Sequence, residues 1–346
     1  MRAWHVQLML AALCLAGCAA PTPAAVSRPA RVFEARTPMG TYMAVTVYAS
    51  DEAAGRAAIA AAFERVEDIE AAASTYRRNS EVEKLRHAAG GPPMAVGPDL
   101  WRVLERAAEV SAETGGAFDV TVGPLVALWK KTWRRGKAPK ADDLAAARAL
   151  VGMSNVRLVR EGRRVQLLKP GMRLVPGGIA KGYAVDQAVA VLRERGIQAA
   201  LVDAGGDIFA LGAPPERQAW LIGVRDPVHP GKILPKPLAV RDRAVATSGD
   251  YEQFGIVGGR RVSHILDPRT GQPVQGVTSV TVVAPDTMTA DAYATAASVL
   301  GPAAAVAFAD ARPAIEMMII SRQDDTVTET RSRGFADIEV ARTAKP

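Results

Sequence analysis

The stretch "TADAYATAASVLG" (Thr289 to Gly301) decides how this chain is read. It is alanine-rich and apolar with the spacing of a buried helix, and Gly301 is a natural stop. Two polar groups interrupt it. Asp291 and Thr295 lie four residues apart, so they project from one face. Thr289 can serve as the N-cap, which leaves Asp291 in the first turn, where the helix dipole favours an anion. Alternatively, the carboxylate and the hydroxyl share a face because together they hold something. These residues alone leave both explanations standing.

The chain has 346 residues, is 49% hydrophobic and carries a formal net charge of +7. That is enough for one large domain or two modest ones with a sizeable core. The basic residues are spread along the sequence and not gathered with aromatics, which argues against nucleic acid as partner and suits an anionic ligand. The opening "MRAWHVQLMLAALCLAGCAAP" has a basic Arg2, then an apolar run from Val6 to Ala16 too short to span a bilayer, then "LAGC". This predicts a signal segment over residues 1–17 and a lipidated Cys18, since "LAGC" resembles the bacterial lipobox. Residues 18–32 follow as the lipidated cysteine and a Pro- and Ala-rich tether, with the functional domain over 33–346. Cys14 falls within the signal, so the processed chain offers no disulfide and no cysteine catalysis.

The alternation in "MGTYMAVTVYA" predicts a strand over Met39 to Ala49. Asp51 to Ala73 reads as a long helix, and Pro98 opens another that runs to about Thr114 and stops at Gly115-Gly116. Asp142 to Leu150 is helical, and Val156 to Leu168 forms two short strands around "REGRR". "PGGIAKGYAVDQAVAVLRERG" is a glycine loop feeding a helix. "AALVDAGGDIFALG" is two strands about a glycine turn. A strand pair, "EMMIIS" and "TVTETRSRGF", closes the chain. There is no repeat and no regular βαβ alternation, which predicts an α+β or mixed α/β single domain with mixed sheets and packed helices.

"PGGIAKG" sets two glycines at the mouth of a helix, followed by Lys181. Glycines let backbone N–H groups approach a phosphate at a helix N-terminus. The spacing is not that of a P-loop, and GxGxxG is absent. "VDAGGDI" reads first as a hairpin whose glycines take positive φ. His264 lies in the turn-rich "SHILDPRTG". HExxH spacing and a GxSxG elbow are both missing, against a His-ligated zinc or a serine hydrolase.

Taken in order, "MGT", "FDVTVGPLVALW", "GGIAKGYAVD", "DAGGDI", "TSGDYE", "SHILDPRTG" and "SVTVVAPDTMTADAYATAASVLG" resemble the ApbE-type FAD:protein FMN transferases. The likeness runs from about Phe33 to Ile320. It implies a magnesium ion held by Asp291, Thr295 and the backbone carbonyl of Ala180, a set of oxygen ligands suited to a hard cation. It places Met39, Tyr76 and Asp119 along FAD, with Lys181, Tyr183 and Ile265 also facing the dinucleotide, and it gives His264 the place of a general base. Asp250 and Asp267 are the alternative bases in the neighbouring loops. One departure stands out: the family has Asp-Leu before its glycine loop, and this chain has Val175-Pro176.

The implied reaction moves FMN from FAD to a threonine or serine hydroxyl of a partner protein and releases AMP. The family's acceptors are subunits of membrane redox complexes, and a lipid anchor implies a periplasm-facing envelope protein. Three other readings stay open: hydrolysis of FAD to FMN and AMP, storage of FAD without catalysis, and a structural lipoprotein with no ligand.

Overall fold

A computed structural model describes residues 28–229, 231–249, 254–324 and 326–341. The signal segment, Cys18, most of the tether and Asp250 lie outside the described residues. The first half contains β1 (Ala30–Arg36), β2 (Met43–Ala49), α1 (Glu52–Ala73), α2 (Glu81–His87), β3 (Met94–Ala95), α3 (Pro98–Glu113), α4 (Gly123–Arg135), α5 (Ala141–Arg148), β4 (Val156–Val159) and β5 (Arg164–Leu167). The second contains α6 (Gly177–Glu194), β6 (Ala199–Ala204), β7 (Asp207–Leu211), β8 (Trp220–Ile222), β9 (Leu238–Val240), β10 (Arg243–Gly249), β11 (Phe254–Val257), β12 (Arg260–Ser263), β13 (Val277–Ala284), α7 (Thr287–Leu300), α8 (Pro302–Asp310), β14 (Glu316–Gln323) and β15 (Thr326–Arg331).

Eight strands form one sheet in the order β1-β2-β6-β7-β10-β13-β14-β15. Every neighbouring pair is antiparallel, so the α+β form is the one observed and the sheet is not mixed in strand direction. Alternation along the strands divides the side chains between two cores. Val45, Val47, Val202, Phe209, Val280 and Val282 face the helices, with α6 lying between α1 and α7. Ile208, Val245, Val283, Met318 and Ile320 face the other way, onto the β8–β9 pair and Phe335. Among the described residues no helix is long and apolar enough to cross a membrane.

Several boundaries differ from the sequence reading. β1 starts at Ala30, ahead of the Phe33 boundary, because residues 30–36 pair with β2 in full register. The strand expected from Met39 begins only at Met43. Pro38–Gly40 is a 3-10 turn instead, with Met39 in the left-handed region at φ 55°.

The start of α7 is also different. Its N-cap is Asp286, whose side chain accepts the N–H of Thr289 at 2.7 Å and also the Thr289 hydroxyl. Asp291 therefore sits beyond the first turn, and the dipole gives no account of it. A second carboxylate reaches the same helix end from α6: Asp186 accepts the N–H groups of Thr287 at 2.8 Å and Met288 at 2.9 Å. The helices approach so closely because of Gly182. A Cβ there would overlap the Thr287 carbonyl oxygen and stand 2.8 Å from Met288 Cα.

Gly182→Ala must therefore shift backbone. The overlap costs about 1–3 kcal/mol, against a helix-propensity gain of about 1 kcal/mol. Thermal or urea unfolding should show a net loss of stability. Gly177→Ala, where an added methyl meets nothing within 4 Å, should leave stability unchanged or slightly raised. Equal behaviour of the two variants would show that the crossing is loose.

Candidate active site

At the α6–α7 crossing the side chains of Lys181, Asp207 and Asp291 meet. Lys181 comes from the first turns of α6, Asp207 from the start of β7 and Asp291 from α7. The Lys181 ammonium donates to Asp207 Oδ2 and lies 3.8 Å from Asp291 Oδ1. Asp291 Oδ2 accepts the backbone N–H of Gly182 at 3.2 Å. Both carboxylates are 3% exposed. One cation thus faces two buried anions, and the site carries a negative surplus when both are ionised. Burial pushes the Asp291 carboxyl up to about 7, with the nearby Asp207 charge adding to the rise. Burial likewise raises Asp207, against the pull of Lys181. Asp186 is raised to about 7, chiefly by burial.

Thr295 belongs to this cluster through Gly178, where a Cβ would stand 2.8 Å from Thr295 Oγ1. Gly178 interrupts the helical backbone of α6 at φ −89° and ψ 20°. Ala180, buried two residues before Gly182, offers only its main-chain carbonyl. Among the described residues no group of three or more His, Cys, Asp or Glu side chains is arranged to hold a metal. The oxygen set of Asp291, Thr295 and Ala180 does fit a hard cation, which takes few protein ligands beside phosphate and water. The surplus of buried negative charge fits it as well.

Met39 lies in the turn between β1 and β2, its side chain partly buried against the helix-side core. Its turn rests on the β6–β7 hairpin: a Cβ on Gly205 would overlap the Thr41 hydroxyl. That hairpin delivers Asp207, and its two glycines take φ 66° and 97°. Left-handed backbone at a methionine costs roughly 1–3 kcal/mol and persists where surrounding structure enforces it. On the far face of the hairpin a cavity of about 90 Å³ is lined in part by Asp203, Arg225 and Thr247.

The remaining residues of the sequence reading are placed elsewhere. Tyr183 is two positions from Lys181 and faces the opposite way, its hydroxyl donating to Asp99 Oδ1 at 2.7 Å while Arg65 braces the same carboxylate. Asp119 has both oxygens committed, to the N–H and hydroxyl of Thr121 at 2.8 and 2.6 Å and to the N–H of Met153 at 3.0 Å. Its carboxylate fixes the turn that enters α4. Tyr76 is 84% exposed, and the Lys130 ammonium of α4 lies 5.9 Å from its ring. His264 is half-buried, and Ile265 is buried beside it. Their loop is pinned to α4 where Trp129 Nε1 donates to the Gly271 carbonyl at 2.8 Å. Asp267 in that loop is engaged by the Arg269 guanidinium at 2.9 and 3.0 Å. At the departure from the family pattern, the Val175 N–H donates to the Val120 carbonyl at 2.7 Å and Pro176 caps α6.

So Lys181 and Asp291 meet, Thr295 and the main chain of Ala180 lie at the same helix crossing, the Met39 turn lies against the β6–β7 hairpin, and Tyr76, Asp119 and the His264 loop cluster about α4. Asp207 and Asp186 were missed as members. Asp207 was read only as a flank of the hairpin. Asp186 gave one signal, a carboxylate inside the apolar run "GYAVDQAVAV".

Comparison with known proteins identifies the family. The model of the ApbE family matches residues 39–319. A protein of Treponema pallidum named FAD:protein FMN transferase is 35% identical over 335 residues, covering 92% of this chain and 91% of its own. One of the same name from Vibrio cholerae is 32% identical, covering 97% and 98%. Among solved structures, the flavin transferase ApbE from Vibrio cholerae superposes with a TM-score of 0.79 at 31% identity, over 90% of this chain and 99% of its own. The ApbE protein from Thermotoga maritima gives 0.81 at 30%, over 90% and 100%. The chain belongs to the ApbE family.

Proposed function

We propose that this chain transfers the FMN half of FAD to a serine or threonine hydroxyl of an acceptor protein. The observation that carries this reading is the buried Lys181–Asp207–Asp291 cluster at the mouth of α6, in a chain whose relatives are named for that reaction. In the step, the acceptor oxygen forms a bond to the FMN-side phosphorus. The bond from that phosphorus to the bridging pyrophosphate oxygen breaks, and AMP departs with that oxygen. The acceptor's proton passes to His264, the general base of this reading. Lys181 balances phosphate charge from its seat between the two carboxylates. Asp291, Thr295 and the Ala180 carbonyl would hold magnesium, which when bound supplies positive charge at the pyrophosphate oxygens. Met39 is suited to pack against the flavin, and Tyr76, on its exposed loop by α4, offers a second ring surface.

Cys18 is the proposed lipidation site, and the domain would then work at the periplasmic face of an envelope membrane on subunits of membrane redox complexes. Intact mass of such an acceptor after incubation with FAD and Mg²⁺ tests the whole reading. Addition of FMN supports it; release of FMN and AMP with no mass gain would make the chain a hydrolase.

Three variants separate the roles. Asp291→Asn keeps the shape but removes the surplus charge, so turnover should fall by about 10²-fold or more while the melting temperature holds or rises. A large fall in melting temperature with activity retained would make Asp291 purely structural. His264→Ala should slow transfer by roughly 10²–10⁴-fold with FAD affinity nearly unchanged, measured by flavin fluorescence; collapse of FAD binding with normal turnover would make it a ligand clamp. Cys18→Ser should move the protein from the membrane fraction to a soluble or unprocessed form, and unchanged fractionation and acylation would rule the anchor out.

A further inference from the structure

The second half of α4 and the segment after it carry Lys130, Lys131, Arg134, Arg135, Lys137 and Lys140, all exposed. None of the six is in an ion pair with a described carboxylate. A helix C-terminus favours one or two cations in its last turn, a role Arg134 and Arg135 already fill. The rest exceed that need. Lys130 alone has an aromatic neighbour, Tyr76.

Beside this basic arm stands the β11–β12 hairpin, which pairs with no other described strand. It is clamped to α4. A Cβ at Gly255 would overlap the Trp133 ring, and the Gly258 N–H donates to the Gly136 carbonyl at 3.1 Å. Val257 and Val262 pack inward on Leu125, Trp129 and Leu266. The alternate residues of β11 point out: Phe254 is 48% exposed and Ile256 50%. Arg261 covers Phe254, its guanidinium 4.0 Å from the ring centroid. β12 then runs through Ser263 directly into His264.

We infer that this surface, the basic arm of α4 with the outer face of the β11–β12 hairpin, docks an acidic, partly apolar segment of the acceptor protein. The inference rests on the transferase reading and adds where the acceptor binds. Charge complementarity argues for an acidic partner. Two exposed apolar side chains beside Arg261 are suited to anchor it. Continuity with His264 argues for the acceptor in particular, because a segment bound along β11 and β12 would have its hydroxyl carried toward the loop that holds the base. A lipid surface lying on the same face would shut that loop off from any acceptor. Nucleic acid would seek an open aromatic face for stacking, and the Phe254 ring is already covered by Arg261.

The test uses the full chain loaded with FAD and Mg²⁺, with two synthetic probes: a peptide bearing one threonine flanked by aspartates, and its lysine-flanked counterpart. Binding is read by anisotropy of labelled peptide and transfer by mass, in wild type, in Lys131→Glu/Arg134→Glu/Arg135→Glu and in Ile256→Ser. The acidic peptide should bind the wild type more tightly, and less so as salt rises. The triple variant should raise its Kd and KM by about 10-fold or more, lose most of the salt dependence and turn preference toward the lysine-flanked peptide, with kcat and FAD affinity little changed. Ile256→Ser should raise KM for the acidic peptide without altering the salt dependence. Transfer with unchanged KM in both variants would overturn the docking surface and leave the transferase reading intact. Charge-sensitive binding with no FMN gained by any peptide would do the reverse. Failure of the acidic peptide to bind, or tighter charge-dependent binding of an oligonucleotide or of anionic-lipid vesicles, would also overturn the docking surface.

Discussion

Two helices hold each other by exchanging carboxylates. Asp291 of α7 accepts the N–H of Gly182 in α6, and Asp186 of α6 accepts the first N–H groups of α7. Each such bond offsets part of the cost of burying its carboxylate, and the contact at Gly182 requires the backbones to meet without a side chain between them. Gly182 supplies that space. The alanines of α7 extend it, for Ala290, Ala294 and Ala297 are all fully buried. The same contact that fastens the helices therefore takes Asp291 out of water and sets it against Lys181. Site and fold are not separable here, because the group that carries the proposed chemistry is also a partner in the packing.

Much of this was legible in the sequence, and the parts that were not share a physical reason. Helix stops at glycines, the strand pairs around "REGRR" and "AGG", and the apolar face of α1 follow from local rules, and they stand within a few residues of where those rules put them. Asp291 and Thr295 stood out by their spacing on one helix face, and only the family resemblance implied a metal role for them. Their partner Asp207 did not stand out, because Lys181 and Asp207 are brought together by the packing of a helix on a sheet. Nothing short-range in either segment announces that meeting. The cap of α7 was misplaced for a different reason. Asp286 and Thr289 are both good caps, and the pattern three residues apart lets the first accept from the second, so the helix starts earlier than the apolar run suggests.

Asp119 and Tyr183 show where a resemblance and a local structure speak to different things. The resemblance implies that both face the dinucleotide. Their polar atoms are spent in this fold, Asp119 on the turn that launches α4 and Tyr183 on Asp99 between α1 and α3. Each buries a polar group and so must satisfy it internally. Both therefore hold the elements that frame the site in place, whatever else their exposed atoms meet. Met39 is a different case: its left-handed backbone is a local cost, held by a turn in which its side chain packs, partly buried, against the core.

The distribution of charge closes the physical account. The chain is cationic as a whole, yet at the α6–α7 crossing two buried carboxylates outnumber one ammonium. A pyrophosphate brought against that cluster alone would meet like charge at short range in a medium of low dielectric, where repulsion is several-fold stronger than in water. In the proposed reading a cation between them offsets that repulsion, and oxygen donors from a carboxylate, a hydroxyl and a carbonyl suit a hard divalent ion. In that reading Lys181 supplies the positive charge at the site itself. Six of the 43 Lys and Arg residues lie on the exposed arm of α4, where they can act on a partner without disturbing the balance that the buried carboxylates require.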